Sequence, residues 1–129
     1  MKRRSSTPRA KAIKLADDEC RELVMLLEPN CVICDLPRRG DPSHYFSRTR
    51  YSTRWDTDNV HNQCRGCHME FTFRNPKEYT DWMYRKLGKE GFDALERKSN
   101  QVTKLTTADI LATADSLRQR RLELEGSNA

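Results

Sequence analysis

Four cysteines and three histidines between residues 31 and 68 are the residue types best suited to metal binding and acid–base chemistry. The cysteines form two Cys-x-x-Cys pairs, Cys31/Cys34 and Cys64/Cys67, which we call the first and second knuckle. This spacing lets each knuckle turn both sulfurs toward one ion, and four thiolates satisfy tetrahedral zinc. The sequence therefore predicts a structural Zn²⁺ site closed by four sulfurs. Any catalysis must then use other residues.

Metal ligation, rather than disulfide bonding, is the expected use of these cysteines. The N-terminal stretch MKRRSSTPRAKAIK contains no apolar signal-peptide core, which favours a reducing cytosol. In that compartment paired Cys-x-x-Cys motifs are more often metal knuckles than disulfides. No apolar run approaches the length of a membrane span. We therefore expect a cytoplasmic protein without a membrane partner.

The basic residues indicate a polyanionic partner. The net charge is +5 and the sequence pI is near 9.1. A solvated basic surface is the simpler interpretation for scattered lysines, but arginines clustered beside a metal module favour phosphate, which guanidinium groups bind in a bidentate fork. The sequence thus predicts DNA binding by the arginines between the knuckles, namely Arg38, Arg39, Arg48, Arg50 and Arg54.

Size and composition favour one small domain. The chain has 129 residues, of which 36% are hydrophobic and 33% charged, so the core is small and a metal staple is expected. We predict a flexible basic arm at 1–9 and a single domain over 10–129. Its parts are an N-terminal helix over 10–28, a metal-binding core over 31–73 and a helical C-terminal part over 76–125. Cys20 lies on the apolar face of the first helix, where it is expected to fill core space.

Local patterns place the candidate residues on elements. Between the knuckles, Tyr45–Phe46 and Tyr51–Trp55 are the candidate strand material. The segment Val60–Phe73 is predicted to be a short helix that carries the second knuckle.

The C-terminal part is predicted to form three helices. Asn75 followed by Pro76 predicts a capped helix that runs to about Leu87 and ends at Gly88. A short helix over 91–98 follows. A last helix begins at Thr106, with Asp109 three residues later, and continues to about residue 125.

The order His44, Asn59, His68 resembles the HNH, or ββα-metal, nucleases. The resemblance implies that His44 is the general base that deprotonates water, that Asn59 holds the loop bearing this base, and that His68 binds a catalytic Mg²⁺ or Mn²⁺ ion. The chemistry suits these residue types, because imidazole titrates near neutrality and a divalent ion with open positions stabilises charge on phosphorus.

Longer segments are similar to one group within these nucleases. His-Tyr-Phe-Ser-Arg (44–48), Thr-Arg-Trp-Asp (53–56) and Asp-Asn-Val-His-Asn-Gln-Cys-Arg-Gly-Cys (58–67) resemble the phage NinG or Rap recombination nucleases. The likeness extends over about residues 20–124, and the chain lacks the additional N-terminal cysteine-rich segment of longer relatives. It implies a small α+β fold, a zinc-stapled ββα-metal (HNH-like) module flanked by α-helices. It also implies a phage-encoded enzyme that cuts Holliday junctions and D-loops in the bacterial host.

Two positions depart from the usual HNH pattern. Ser43 stands directly before the base, where a second metal ligand is usual, and the NinG-like pattern suggests Asp41 instead, as a direct or water-mediated ligand. His68 stands where NinG-like chains commonly carry Asn, and either residue can hold the ion. His61 also fits the family pattern, and binding to metal, to phosphate or to a backbone carbonyl all remain open. The resemblance supports Arg48 and Arg54 as phosphate clamps.

The predicted function is a metal-dependent endonuclease that cuts branched DNA during phage recombination. The alternative from another class is a non-catalytic zinc module that binds DNA or a recombination protein. Sequence-specific cleavage of the homing or restriction type lacks a recognition domain in so short a chain. Two symmetric cuts across a junction would favour a homodimer.

Overall fold

The chain has an α+β fold in a computed structural model that describes residues 6–127. An antiparallel two-stranded sheet, a short π-helical segment and four α-helices make up the regular structure of these residues. In chain order they are α1 (Pro8–Leu27), β1 (Asp41–His44), β2 (Val60–Gln63), α2 (Arg65–Met69), the π segment (Glu70–Arg74), α3 (Lys77–Ser99) and α4 (Thr107–Ser127). Within residues 6–127, no helix combines the length and apolar character needed to cross a membrane.

The contacts of the chain fall into two compact units, where the sequence predicts one domain over 10–129. The first unit comprises the chain up to Leu23 and from Lys104 onward, and the second comprises Val24–Thr103. Every predicted metal-binding or catalytic residue belongs to the second unit. Of the predicted arm at 1–9, residues 1–5 lie outside the described part of the chain, and α1 already begins at Pro8.

The first unit is built from α1 and α4. The Thr7 hydroxyl accepts a hydrogen bond from the backbone N–H of Ala10 (3.0 Å), so Thr7 caps α1 and Pro8 occupies the first helical position. Cys20 is buried on this helix, as predicted. Arg121 on α4 bonds α1, since its Nε donates to Glu19 Oε2 (3.0 Å), and Arg9 Nη1 on α1 donates to the carbonyl of Leu105, which lies just before α4 (2.6 Å).

The two strands are polar and short. Asp41 pairs with Gln63 and His44 with Val60, so β1 runs antiparallel to β2 from one end to the other. The prediction of a helix over Val60–Phe73 is therefore wrong at its start, because Val60–Gln63 is a strand. Helix begins only after Cys64, which adopts extended backbone angles (φ −60°, ψ 157°) at the N-cap of α2.

The segment between the strands is a series of turns. Backbone N–H groups of Arg50, Thr53, Asp56 and Asn59 each donate to the carbonyl three residues earlier. The strand prediction for Tyr51–Trp55 is therefore wrong. The aromatic residues there pack on one another, with the Tyr51 and Trp55 ring centroids 5.8 Å apart, rather than pairing with a neighbouring strand.

Two of the predicted helix boundaries are confirmed, and one is not. Gly88 interrupts α3 with a left-handed backbone (φ 71°), which glycine adopts at little cost. At α4, Thr106 N donates to Asp109 Oδ2 (2.9 Å) and Asp109 N donates to Thr106 Oγ1 (3.1 Å), which is a capping box. Asn75 does not cap α3; its N–H instead donates to the Glu70 carbonyl and closes the π segment.

The apolar core of the second unit lies on α3. Tyr79, Met83, Phe92 and Leu95 are buried there, and partly buried side chains that include Tyr45 and Phe46 pack against them. Tyr45 and Phe46 directly follow β1. This contact therefore places the strand that carries His44 against the main apolar cluster of the unit.

Gly40 allows the chain just before β1 to approach β2 closely. Its N–H donates to Asn62 Oδ1 (2.9 Å), and a Cβ atom at this position would overlap the Gln63 carbonyl and approach Asn62 Oδ1 to 2.8 Å. Because the obstacle is backbone, the strand itself would have to move. Gly66, on α2 in the same unit, has open space around it.

We predict that Gly40→Ala lowers the free energy of unfolding by about 1–3 kcal/mol, the usual cost of overpacking. The matched variant Gly66→Ala should leave it unchanged or raise it by up to about 1 kcal/mol, because alanine favours helix. Urea denaturation followed by tryptophan fluorescence measures this unit specifically, since both tryptophans, Trp55 and Trp82, lie in it. Equal stability of the two variants would contradict the prediction.

Candidate active site and metal centre

The two knuckles bring four cysteines to one point. The Sγ atoms of Cys31, Cys34, Cys64 and Cys67 all lie within 4.8 Å of one another, and none of these cysteines is in a disulfide. Cys34 Sγ and Cys64 Sγ are 3.7 Å apart. A tetrahedral zinc site with Zn–S bonds of about 2.3 Å has sulfurs about 3.8 Å apart. The four cysteines can therefore hold a metal ion, in a geometry that is consistent with structural zinc.

Backbone geometry explains why each knuckle turns. In the first, Asp35 N donates to the Cys31 carbonyl and Cys31 N to the Leu36 carbonyl (2.9 Å each). Asp35 has a positive φ of 62°, a conformation that Asp tolerates better than most residues, and Asn30 Nδ2 donates to its carboxylate (3.1 Å). In the second, His68 N donates to the Cys64 carbonyl (2.8 Å), so the first turn of α2 sets the spacing.

The cluster favours ionised thiols only in part. Burial opposes ionisation of Cys31, but backbone N–H groups of Cys34, Cys64 and Ile33 outweigh it and lower the pKa of Cys31 to about 7. Burial and the neighbouring thiols raise the pKa of Cys67. Four thiolates at this distance repel one another unless a cation lies between them, which is the electrostatic condition that a bound metal satisfies.

Asp41 and His68 form a second, smaller group. His68 Nδ1 lies 3.1 Å from Asp41 Oδ2, and both side chains are partly exposed to solvent. Two ligands at right angles on an Mg²⁺ ion, each about 2.1 Å from it, lie about 3.0 Å apart. The pair therefore has the separation of neighbouring metal ligands. Within residues 6–127, no third His, Cys, Asp or Glu side chain lies close enough to complete a three-ligand group with it.

Ser43 does not belong to this group. It is fully buried, and its hydroxyl accepts a hydrogen bond from Gln63 Nε2 (3.2 Å). Its carbonyl accepts a bond from the buried Tyr79 hydroxyl (2.9 Å), and burial raises the pKa of Tyr79. Of the two candidates on β1 for a second ligand, the structure therefore places Asp41, and not Ser43, beside His68.

His44 occupies the last position of β1 and is held in one tautomer. Its Nε2 lies 2.9 Å from the Arg54 carbonyl oxygen. Because a carbonyl only accepts hydrogen bonds, Nε2 must carry the proton that it donates. In the neutral ring the lone pair is then on Nδ1.

Asn59 ties the two sides of the loop together. It is fully buried, and its side-chain oxygen accepts from Phe46 N (2.8 Å) while its Nδ2 donates to the carbonyls of Phe46 and Thr53 (3.1 Å each). Its backbone carbonyl accepts from Tyr45 N (2.9 Å). These bonds fix the chain directly after His44. They also fix Thr53, which precedes Arg54, the residue whose carbonyl accepts the bond from His44.

His61 has a scaffold position, away from the Asp41–His68 pair. It is 2% exposed; Nε2 donates to the Asp58 carbonyl (2.7 Å), and Nδ1 lies 2.8 Å from Glu28 Oε2. Both ring nitrogens are thus engaged by protein atoms. Of the three roles left open by the sequence, binding to a backbone carbonyl is the one that the geometry supports.

The predicted phosphate-binding arginines differ in exposure. Arg38, Arg39 and Arg48 are exposed, and Arg50 is exposed but donates to Ser99 Oγ (3.1 Å) and Asn100 Oδ1 (2.9 Å) at the end of α3. Arg54 differs from the prediction. It is only 7% exposed and its side chain donates to the Arg48 carbonyl (3.0 Å), so it stabilises the loop between the two strands from its buried side.

The structural roles of Glu28 and Asn62 were not predicted from the sequence. The Glu28 carboxylate accepts from Asn62 N (2.9 Å) as well as facing His61, and Asn62 Nδ2 donates to the carbonyls of Glu28 (2.9 Å) and Arg38 (3.1 Å). Together they join the end of α1, the first knuckle and β2. Glu28 precedes a proline at a helix end, a place where sequence patterns show only that the helix stops.

Comparison with known proteins gives one match. The family described as Bacteriophage Lambda NinG protein matches residues 4–126, which is almost the whole chain. No curated protein matches the chain, and no solved structure does so. Because the match includes both knuckles, the Asp41–His68 pair and His44, it covers the entire candidate site. The chain therefore belongs to the bacteriophage lambda NinG family.

Proposed function

We propose that this protein is a metal-dependent endonuclease of the HNH type that cuts branched DNA during phage recombination. The observation that carries the proposal is the Asp41–His68 pair, 3.1 Å apart, at one end of the strand whose other end holds His44. Membership of the NinG family supports a role in recombination. The order β1, β2, α2, with these side chains on the first strand and the helix, also supports it.

The cysteine cluster is proposed to hold structural Zn²⁺. Four sulfurs close the coordination sphere of zinc, so this ion has no open position for a substrate. Its contribution is to folding: it joins the chain before β1 to the chain after β2. The second unit has a modest apolar cluster, so a metal staple of this kind is expected to supply much of its stability.

Asp41 and His68 are proposed to hold the catalytic ion. Carboxylate and imidazole are suitable ligands for Mg²⁺ or Mn²⁺, and two protein ligands leave positions for phosphate and water. When bound, such an ion stabilises the negative charge that builds up on the phosphate oxygens. The 3.1 Å contact between Asp41 Oδ2 and His68 Nδ1 orients the His68 ring, so that both side chains would face one ion.

His44 is proposed to act as general base. Its Nδ1 lone pair takes a proton from water as the water oxygen attacks phosphorus. The bond from phosphorus to the leaving 3′ oxygen then breaks, and solvent supplies a proton to that oxygen. Throughout the step, Nε2–H stays on the Arg54 carbonyl, which keeps the ring oriented and stabilises the imidazolium that forms. Asn59 acts as a positioning residue by holding the loop that contains this carbonyl.

The exposed arginines are proposed to bind the DNA backbone. Arg38 and Arg39 directly precede Gly40 and β1, and Arg48 follows that strand on the turn series. Contacts of this type give affinity without base sequence, which suits an enzyme that recognises DNA shape. Arg54 is assigned no phosphate contact, because it is buried in the loop.

The zinc proposal predicts one tightly bound Zn²⁺ per chain. Cys64→Ser should lose this zinc and unfold at lower urea concentration, because a hydroxyl is a poor zinc ligand. Cys20→Ala, which removes a buried cysteine outside the cluster, should keep the metal. Native mass spectrometry counts the ion in each variant. Full zinc occupancy in Cys64→Ser would contradict the assignment.

The nuclease proposal predicts that the protein nicks a four-way junction or D-loop when Mg²⁺ or Mn²⁺ is added. His44→Ala should slow nicking by roughly 10²- to 10⁴-fold, the usual contribution of a general base. It should keep its zinc and its affinity for the junction, since His44 is partly exposed and distant in sequence from the cysteines. Gel analysis of end-labelled DNA measures the rate. A wild-type protein that binds junctions but nicks no DNA with any divalent ion would instead be a binding module.

If Asp41 and His68 are metal ligands, Asp41→Ala and His68→Ala should each slow nicking strongly. The effect should exceed the roughly 10- to 100-fold loss that follows removal of a residue that only supports a ligand. The double variant should be no slower than the worse single variant, because both residues serve one ion. Ser43→Ala should nick at the wild-type rate, since its hydroxyl is buried against Gln63. Rates over a Mn²⁺ titration separate weak metal binding from slow chemistry. Loss of nicking in Ser43→Ala with normal zinc content and unchanged urea denaturation would refute the choice of Asp41.

A further inference from the structure

An exposed aromatic ring lies beside the proposed catalytic ion site. Phe73 is 70% exposed, and Met69, next to His68 in the chain, is 52% exposed. Phe73 is more exposed than any other aromatic side chain in residues 6–127, so its position beside His68 is the informative observation. The inner face of the same segment packs normally, since Phe71 contacts the core cluster on α3.

The π segment brings the Phe73 ring next to the His68 ring. Asn75 N donates to the Glu70 carbonyl (2.8 Å), a bond that spans five residues and defines the π segment. Phe73 follows His68 by five residues, and the wider turn brings the two rings to 6.4 Å between centroids, with planes at 34°. Single π turns are rare and are found most often at functional sites. The segment thus presents a ring next to a proposed metal ligand.

The charges around the ring suit a nucleic acid. Between residues 65 and 77 the basic residues are Arg65, Arg74 and Lys77, all exposed, and Glu70 is the acidic one. The Arg74–Glu70 pair is long (3.6 Å) and solvent-exposed, so it leaves Arg74 able to bind phosphate. An exposed apolar ring with a cation next to it in the chain, here Arg74, suits an unpaired nucleotide, with the base on the ring and the phosphate on the cation.

We propose that Phe73 stacks on a base that is unpaired at a branch point or in a single-stranded stretch of DNA. The inference rests on the proposed nuclease function and names the feature of DNA that the site selects. In a duplex each base already stacks on its neighbours, so it offers no free face to a protein ring. A base stacked on Phe73 would lie close to His68, one of the two proposed ligands of the ion.

Binding, measured without cutting, tests this role. The probes are a forked DNA with 2-aminopurine at the branch point, a single strand and a duplex, all of equal length, with zinc present and no Mg²⁺ or Mn²⁺. Phe73→Ala should weaken binding to the fork and the single strand by roughly 5- to 150-fold, the effect of losing one base–aromatic stack. Duplex binding should not change. The 2-aminopurine fluorescence should fall when wild-type protein binds and should stay high with Phe73→Ala.

Matched variants separate stacking from general hydrophobicity. Phe73→Trp should keep fork affinity and quenching, whereas Phe73→Leu should lose the quenching. Val102→Ala, which removes an apolar side chain that is 92% exposed in the same unit, should behave as wild type. Because Phe73 is exposed, these changes should not alter urea denaturation.

The proposal is overturned if Phe73→Ala binds the fork as tightly as wild type, if it loses fork and duplex affinity equally, or if the wild type binds none of the probes. Failure of the nuclease proposal is a separate result. If the wild type nicks junctions and Phe73→Ala binds the fork as tightly as the wild type, the stacking role is wrong and the nuclease proposal stands. A protein that stacks a base on Phe73 but never nicks lacks only the nuclease activity.

Discussion

The convergence of four cysteines is the constraint on which the second unit depends. The first knuckle precedes β1 and the second follows β2, so bringing their sulfurs within 4.8 Å closes the chain around both strands. Each strand has only four residues, and β1 reads Asp-Pro-Ser-His, so the two strands share few backbone bonds. Without a cation, thiolates at this distance would repel one another. Formation of the sheet and occupation of the cluster are therefore expected to be coupled.

Buried polar side chains take the place that apolar residues have in most sheets. Every residue of β2 is buried, yet three of its four side chains are polar: His61, Asn62 and Gln63. Their bonds to Glu28, Asp58, Arg38 and Ser43 are specific in direction, unlike apolar contacts. A network of this kind is costly when one member is lost, because the partner stays buried without a hydrogen bond. It holds the strands in a single register.

The sequence predicted the chemical groups better than the elements that carry them. The two knuckles are readable because metal ligands need particular residue types at a fixed spacing. The break at Gly88 and the capping box at Thr106 and Asp109 are readable because they depend only on nearby residues. The cysteine cluster follows from the knuckles, whereas the α+β class was implied by the resemblance to the NinG-like nucleases.

The errors lie where distant contacts decide the structure. Strands were predicted at Tyr45–Phe46 and Tyr51–Trp55 because aromatic residues favour strands. Tyr45–Phe46 instead lies just beyond the end of β1, and the Tyr51 and Trp55 rings pack around the buried Arg54. A sequence cannot distinguish that arginine from an exposed one, since only the turns around it decide its direction. The π segment was missed for a similar reason: one hydrogen bond that spans five residues instead of four leaves no pattern in residue types.

The structural cluster and the proposed ion site share one element. Asp41 pairs with Gln63, the residue before Cys64, while Cys64, Cys67 and His68 all lie at the start of α2. A shift of β1 by one residue would turn its side chains to opposite faces and would separate Asp41 from His68. Residues 35–40 connect the first knuckle to β1, and the second knuckle lies at the start of α2, so an ion in the cluster would restrain β1 relative to α2 and support the register that the polar network holds. Although the thiols and the Asp41–His68 pair have different chemistry, the position of the second group thus depends on the first.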